Sequence, residues 1–247
     1  MLVLNWLLTL GVQYCMLGTL VAMLCVGSEL LMLDGVTFSD QRDVLYVRAR
    51  QLSNAFELSL VESSGAFKLG GQAIVSSNTR RLADNTLLVR VAALKHHGFT
   101  TAWHQADQSV RVNRRAKAIK VRKGDQRVVV NKREMMLVAW QGKSVVFRSK
   151  VGIGRAANQT PTGIFKAQTY RRKMHLSSLY GDAPMPYAVQ VVGNIFIHGS
   201  DKAFGRTSHG CIRLPVSGRN PARWFYAWIQ PGTPVVLQGK WPSRASG

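Results

Sequence analysis

Residues 1–28 contain no charged side chain. Apolar residues dominate Leu2–Val26, interrupted only by Asn5, Thr9, Gln13, Tyr14 and a few small residues. A run of about 20 such residues is long enough to cross a bilayer as a helix. The chain is thereby divided into one apolar segment, expected to be helical, and a remainder that must bury a core of its own. Two further readings of the segment stay open: a cleaved signal peptide and a buried core helix. The signal peptide lacks its positively charged start, and Val26-Gly27-Ser28 makes only a passable cleavage site. Anchor and signal peptide alike imply export. Glu29 and Asp34 follow the segment and the first basic residue is Arg42, so no adjacent positive charge holds the following chain in the cytoplasm.

All of the charge lies beyond that segment, with 33 Lys and Arg against 12 Asp and Glu, a formal net charge of +21. Such a chain, once exported, is attracted to an anionic polymer such as the cell wall. Nucleic acid is the usual alternative partner for so basic a protein. Here the basic residues are scattered, with short clusters only at Arg114-Arg115-Ala116-Lys117 and Arg171-Arg172-Lys173, and no nucleic-acid motif accompanies them. No nucleic-acid partner is expected. Cysteine usage is more informative. Cys15 and Cys25 lie in the apolar segment, leaving Cys211 as the single thiol of the remainder. A disulfide within the folded part is excluded, and a lone cysteine in an exported protein suggests a reactive thiol.

An internal repeat follows the apolar segment. Leu45-Tyr46-Val47-Arg48-Ala49-Arg50-Gln51-Leu52 aligns with Leu87-Leu88-Val89-Arg90-Val91-Ala92-Ala93-Leu94. Each copy continues through Phe56 or Phe99 into an alternating segment, Phe67-Lys68-Leu69 or Val110-Arg111-Val112. Each unit reads as a short helix followed by a β-hairpin, the second helix ending at Gly98 beneath Lys95 and two histidines. Two units back to back predict a small α+β domain. This stretch, residues 34–113, resembles the N-terminal domain of copper amine oxidases, a module also present in bacterial envelope proteins. The resemblance brings no copper site: His96 and His97 point about 100° apart on a helix and chelate poorly. Residues 114–133 read as a basic connector, strand-poor to strand-like.

From Glu134 the pattern changes. Met135–Trp140 and Ser144–Val151 flank Gln141-Gly142-Lys143 and predict a hairpin. Further strands are expected at 163–167, 187–192, 195–198 and 234–237. One helix is expected over Pro221–Ile229, with Asn220 as its cap, Pro221 at its first position and Pro231-Gly232 as its stop. The fold class is therefore a mainly β domain over 134–238, an antiparallel, sandwich-like sheet with one packed helix. The small α+β domain and the N-terminal apolar helix precede it.

The chemistry is concentrated in Ile197-His198-Gly199-Ser200 and Ser208-His209-Gly210-Cys211-Ile212-Arg213-Leu214. A cysteine nucleophile needs a base within hydrogen-bond reach, an orienter for that base, and donors aimed at the developing oxyanion. One thiol and two histidines brought together by a strand and a returning loop meet that need, and Gly210 allows close backbone approach. On spacing alone a structural cysteine remains open. Zinc on His209 and Cys211 is disfavoured, since a structural site wants four ligands and usually several cysteines.

The Ser-His-Gly-Cys-Ile-Arg-Leu block preceded by Ile-His-Gly resembles the L,D-transpeptidase catalytic (YkuD-type) domain. Val151-Gly152-Ile153-Gly154, Thr160-Pro161-Thr162-Gly163-Ile164-Phe165, Met185-Pro186-Tyr187 and Pro231-Gly232-Thr233-Pro234-Val235 stand in the order that resemblance requires. It implies Cys211 as nucleophile, His198 as base and the Gly199 carbonyl as the group orienting that base. It also implies backbone amides of His209, Gly210 and Cys211 as the oxyanion hole. Arg213 and Tyr187 would bind substrate, with Ser208 beside them and more suited to shaping the loop, and the short interval from His198 to Cys211 implies a small lid. The implied reaction is a two-step acyl transfer on peptidoglycan stem peptides in a bacterial cell envelope, periplasmic or otherwise extracytoplasmic. It needs no metal and no organic cofactor. Water as acceptor would make the protein an L,D-carboxypeptidase, and a non-catalytic wall-binding protein is the alternative of a different class.

Overall fold

The structure, a computed structural model, describes residues 30–63 and 66–241. The expected anchor or signal segment, residues 1–28, lies outside the described residues. Among those described, no helix is long and apolar enough to cross a membrane.

The chain is mainly β. Its first half opens with β1 (Leu31–Phe38), β2 (Gln41–Arg48) and α1 (Ala49–Phe56), then β3 (Leu60–Ser63), β4 (Ala66–Leu69) and β5 (Gln72–Ile74). It continues with β6 (Thr79–Arg81), β7 (Leu87–Arg90), a 3-10 helix over Val91–His97, and then β8 (Thr100–His104), β9 (Ser109–Arg114) and β10 (Lys117–Lys123). Seven of these strands form one sheet in the order β6-β7-β2-β1-β10-β9-β8, and β3-β4-β5 form a small second one.

The repeat is present in a different form from that expected. In each aligned block the first four residues are strand and only the rest is helix. β2 and β7 pair antiparallel, with Tyr46 opposite Arg90 and Val47 opposite Val89, so the two copies meet side by side within the sheet. Val47 and Val89 are fully buried there, an environment suited to β-branched side chains. The second helix is 3-10 and ends at Gly98 in the left-handed region, φ 74°.

The stretch 114–133, expected as a connector of strand-poor to strand-like character, is mostly strand. Its alternation of lysine and arginine with Ile119 and Val121 is that of a half-buried strand, and both apolar side chains are buried. They lie on β10, which pairs in parallel with β1. Only Gly124 and Asp125 separate β10 from β11 (Gln126–Asn131). A Cβ at Gly124 would sit 2.5 Å from the Gly142 amide nitrogen, so only glycine allows the two chains to pass there.

The second half contains β12 (Met136–Gln141), β13 (Ser144–Lys150), β14 (Ile153–Gly154), β15 (Gly163–Lys166), β16 (Arg171–Ser177), β17 (Ala183–Val192) and β18 (Ile195–Ser200). After these come β19 (Arg206–Ser208), β20 (Ile212–Pro215), α2 (Pro221–Trp228) and β21 (Pro234–Gln238). One sheet runs β13-β12-β11-β21-β15 and another β16-β17-β18-β20. The pairs β11–β21, β18–β20 and β14–β19 are parallel, which side-chain alternation alone does not distinguish from antiparallel. α2 begins as its sequence dictates: the Asn220 carboxamide oxygen accepts from the Arg223 amide at 2.9 Å, with Pro221 inside the first turn.

Both sheets and α2 share one core, in which Phe225, Trp228, Ile197, Ile212, Val128 and Leu137 are buried. Val36, Phe38, Tyr46 and Leu88 from the first half belong to that same core. Phe38 meets Trp224 of α2 edge-on at 5.8 Å. A buried polar network crosses the seam as well. Gln141 Oε1 accepts from the Thr37 amide at 3.2 Å and Trp228 Nε1 at 2.9 Å, and Gln141 Nε2 donates to Thr37 Oγ1 at 2.8 Å. Gln126 Nε2 donates to the Trp228 carbonyl at 2.9 Å, and its Oε1 accepts from Thr233 Oγ1 at 2.9 Å. Each buried amide thus has the partners that burial demands.

Candidate active site

β18 and the start of β20 lie side by side in parallel, Ile197 opposite Ile212 and His198 opposite Arg213. The two isoleucines face the core and are fully buried. By strand alternation Phe196 and His198 then share the opposite face with Cys211 and Arg213. Cys211 is 7% exposed and packs with Met185, Ala188 and Phe196. Its Sγ accepts from the Phe196 amide at 3.4 Å, and its thiol points to the Asn194 carbonyl at 3.5 Å. His198 Nδ1 bonds the Gly199 carbonyl at 2.8 Å. A carbonyl only accepts, so Nδ1 carries the proton and Nε2 is left as the basic nitrogen. Cys211, His198, His209, Arg213, Tyr180 and Met185 help line one pocket of about 360 Å³.

Burial governs the ionisation of this pair. It lowers the His198 pKa to about 4, a shift only partly offset by the bond to Gly199 and increased by the charges of Arg213 and His175. Burial likewise pushes the Cys211 thiol up, against the opposing pull of the Phe196 amide and Arg213. The resting site at neutral pH holds a neutral imidazole and a neutral thiol, not an ion pair.

The remaining residues singled out in the sequence fall into three groups. Gly210 sits at φ 114°, and a Cβ there would lie 2.6 Å from Ile195 Cδ1. Its amide donates to Ser208 Oγ at 3.1 Å, and Ser208 Oγ donates to the Cys211 carbonyl at 2.6 Å. Ser208 is 1% exposed and closes its own loop. His209 is half-buried and stacks on Tyr180 at 4.1 Å, and burial with the charges of Arg155 and Arg213 lowers its pKa. Arg213 donates from Nη1 to Thr207 Oγ1 at 3.1 Å, while its Nε is buried without a partner among the described residues.

Tyr187 does not join the cysteine pocket and is a correction to the expectation that it binds substrate there. It occupies the left-handed region, φ 57°. Met185 and Ala188, three apart, both face the cysteine. Tyr187 turns instead toward Tyr226 of α2, 6.0 Å between rings, and lines a separate cavity. Strict alternation along β17 does not anticipate that break.

Sequence reasoning also missed two sets of supporting groups. Tyr170 Oη and His175 Nδ1 lie 2.9 Å apart, and His175 stacks on Phe196 at 5.1 Å, beside the cysteine. Behind the loop, Lys132 is 3% exposed, and its Nζ donates to the Thr160 carbonyl at 3.1 Å and Thr162 Oγ1 at 2.6 Å. Thr160 Oγ1 in turn donates to the Gly210 carbonyl at 2.8 Å and accepts from the Gly154 amide at 2.9 Å. Desolvation lowers the Lys132 pKa. The sequence offered Thr160 only as a motif letter, and nothing in it pointed to Lys132.

Residues 125–237 match the family model for the L,D-transpeptidase catalytic domain, YkuD. The match begins at the turn into β11 and leaves the likeness of residues 34–113 to the copper amine oxidase module without support. No curated protein matches the chain. Among solved structures, an L,D-transpeptidase from Stackebrandtia nassauensis is 23% identical at a TM-score of 0.44 and covers 49% of this chain and 58% of its own. This chain therefore spans little more than half the length of that relative. L,D-transpeptidases from Mycobacterium smegmatis and Mycobacterium tuberculosis H37Rv are 14% and 16% identical, with TM-scores of 0.42 and 0.43. Each covers 87% of this chain and 96% of its own. Residues 125–237, just under half of the chain, are thus similar to the L,D-transpeptidase catalytic domain family.

Proposed function

We propose that the protein is a peptidoglycan L,D-transpeptidase whose nucleophile is Cys211 and whose base is His198. The observation that carries this reading is the Nδ1 bond of His198 to Gly199, which leaves a neutral, basic Nε2 in the pocket that Cys211 also lines. In the first step Sγ bonds the carbonyl carbon of the third residue of a tetrapeptide stem while the thiol proton passes to Nε2. Collapse of the tetrahedral intermediate breaks the peptide bond, and the imidazolium returns that proton to the departing amine of the terminal D-alanine. In the second step an acceptor amine attacks the thioester, His198 takes its proton, and the released thiolate recovers it. Because the pair starts neutral, proton transfer accompanies attack and does not precede it.

The Gly210 amide is engaged by Ser208, so the amides of His209 and Cys211 remain to meet the oxyanion. The guanidinium of Arg213, which lines the cysteine pocket, supplies a charge-assisted donor for the stem peptide. Water in place of the amine gives the L,D-carboxypeptidase reaction. The +21 charge favours work against an anionic wall polymer, with residues 1–28 holding the protein at the membrane on the extracytoplasmic side. Incubation with disaccharide tetrapeptides, followed by mass analysis, tests the reading. Cross-linked dimers that have lost D-alanine are expected, and Cys211→Ala abolishes them. Release of D-alanine without dimers would assign the carboxypeptidase reaction instead, and no product from a folded, reduced protein would refute both.

A further inference from the structure

A second cavity, of about 780 Å³, opens where the first half of the chain meets α2 and the β16–β17 hairpin. Its wall carries four cationic side chains drawn from both halves: Arg42 before the middle of β2, Arg171 and Lys173 on β16, and Arg223 on α2. Asp40 is the one carboxylate lining it, and both its oxygens are taken by Arg80 at 2.9 Å. None of the four cations forms an ion pair among the described residues.

Arg171 is the most constrained of the four. Its guanidinium lies over the Tyr226 ring at 4.5 Å and its Nη2 donates to the Tyr226 carbonyl. Its Nε is buried with no partner among the described residues. Four like charges converging on one cavity are unfavourable, and an anion bound between them relieves that repulsion. The volume lies within the range of small-ligand sites, which leaves space for more than a lone ion. Several cations facing a cavity without a free carboxylate match a multiply charged group better than a single carboxylate.

We propose that this cavity binds phosphate groups, either free or as the phosphodiester of a polyol-phosphate polymer of the cell envelope. The site is separate from the cysteine pocket, yet the two share a hairpin: Arg171, Lys173 and Tyr187 face this cavity while His175, Ser177 and Met185 face the cysteine. Binding here stands whether or not Cys211 transfers acyl groups.

The test is calorimetry of the full chain at physiological salt with three probes: inorganic pyrophosphate, a poly(glycerol phosphate) oligomer and an oligothymidylate of equal charge. Because the protein is strongly basic, a charge-matched control is essential. The seam variant Arg42→Gln/Arg223→Gln should lose at least about tenfold in affinity for pyrophosphate, the poly(glycerol phosphate), or both. The control Lys68→Gln/Arg90→Gln, exposed cations elsewhere, should lose less than about twofold. Binding of both phosphate probes locates a site open to either source, and binding of the oligomer alone assigns it to the polymer. Equal losses in the two variants, no binding of either phosphate probe, or tighter seam-dependent binding of the oligothymidylate would overturn the proposal. Arg171→Lys keeps the charge but removes the fork and should weaken binding by a similar factor.

Discussion

At Cys211 and His198 burial works against charge separation, and this sets how the residues titrate. The His198 imidazole titrates at about 4 when folded, well below its ordinary value. Its unfolded form binds the proton first as pH falls, so the stabilisation is complete above about pH 6.5 and disappears as pH passes down through 4. Acid melting curves should show His198→Gln, at equal starting stability, less sensitive than the parent across that window. The base is also available well below neutrality, so kcat/KM should lack an acid limb near 6.5. A limb there in the free enzyme would contradict the assigned base. The raised thiol gives a second expectation. Iodoacetamide should alkylate Cys211 at pH 7 no faster than an ordinary cysteine, whereas the lone cysteine in the sequence suggested a reactive thiol. The candidate site was legible because the proposed nucleophile, the loop glycine and the arginine fall within six consecutive positions, Ser208–Arg213. Tyr187 was misplaced because a left-handed residue inside a strand leaves no mark on the alternation.

At the scale of elements, the loop bearing the cysteine is held from behind by Thr160, whose hydroxyl ties the Gly210 carbonyl to the Gly154 amide. Thr160→Val keeps the shape and strands both groups. It should cost about 1–3 kcal/mol in denaturant unfolding and lower kcat more than it raises KM. Thr160→Ser, which restores the hydroxyl, should recover most of the rate. A Thr160→Val enzyme with parental kcat would show that the loop keeps its geometry unaided. Lys132 escaped notice in the sequence because its partners Thr160 and Thr162 lie about thirty residues away and only folding brings them close. The repeat was found but its first halves were misread. Leu45–Arg48 and Leu87–Arg90 are too short for periodicity to separate helix from strand, and their mutual pairing decided the matter.

For the whole molecule, the sequence sets a small α+β domain over 34–113 apart from the β domain over 134–238, as if the second could stand alone. The seam argues otherwise. Phe38 and Val36 share the core of α2, and Gln141 and Gln126 hold Thr37 and Trp228 in a buried network. A protein beginning at Arg122 exposes Trp224 and leaves Gln141 with unmet partners. It should be insoluble, or melt well below the full chain, and should lose activity on small soluble peptides too. Full activity and an unchanged melting temperature would restore the independent-module reading. Such long-range closure is invisible in composition, since apolar residues at 36 and 38 look the same whether they cover their own sheet or a distant helix.

The position of β21 has a consequence for how the protein is made. This strand, almost the last of the described chain, lies inside its sheet, between β11 and β15. The growing polypeptide therefore cannot complete the sheet until residue 238 has left the ribosome. Its neighbours β11 and β15 must wait with an open edge while the final strand is synthesised. Pairing between positions more than a hundred apart, such as Val128 with Val235, also makes closure slow. A sheet that cannot close until its last strand is made suits a chain that is threaded through a pore before it folds. It is correspondingly intolerant of early termination, because a stop codon anywhere before Pro234 removes the strand on which both neighbours depend.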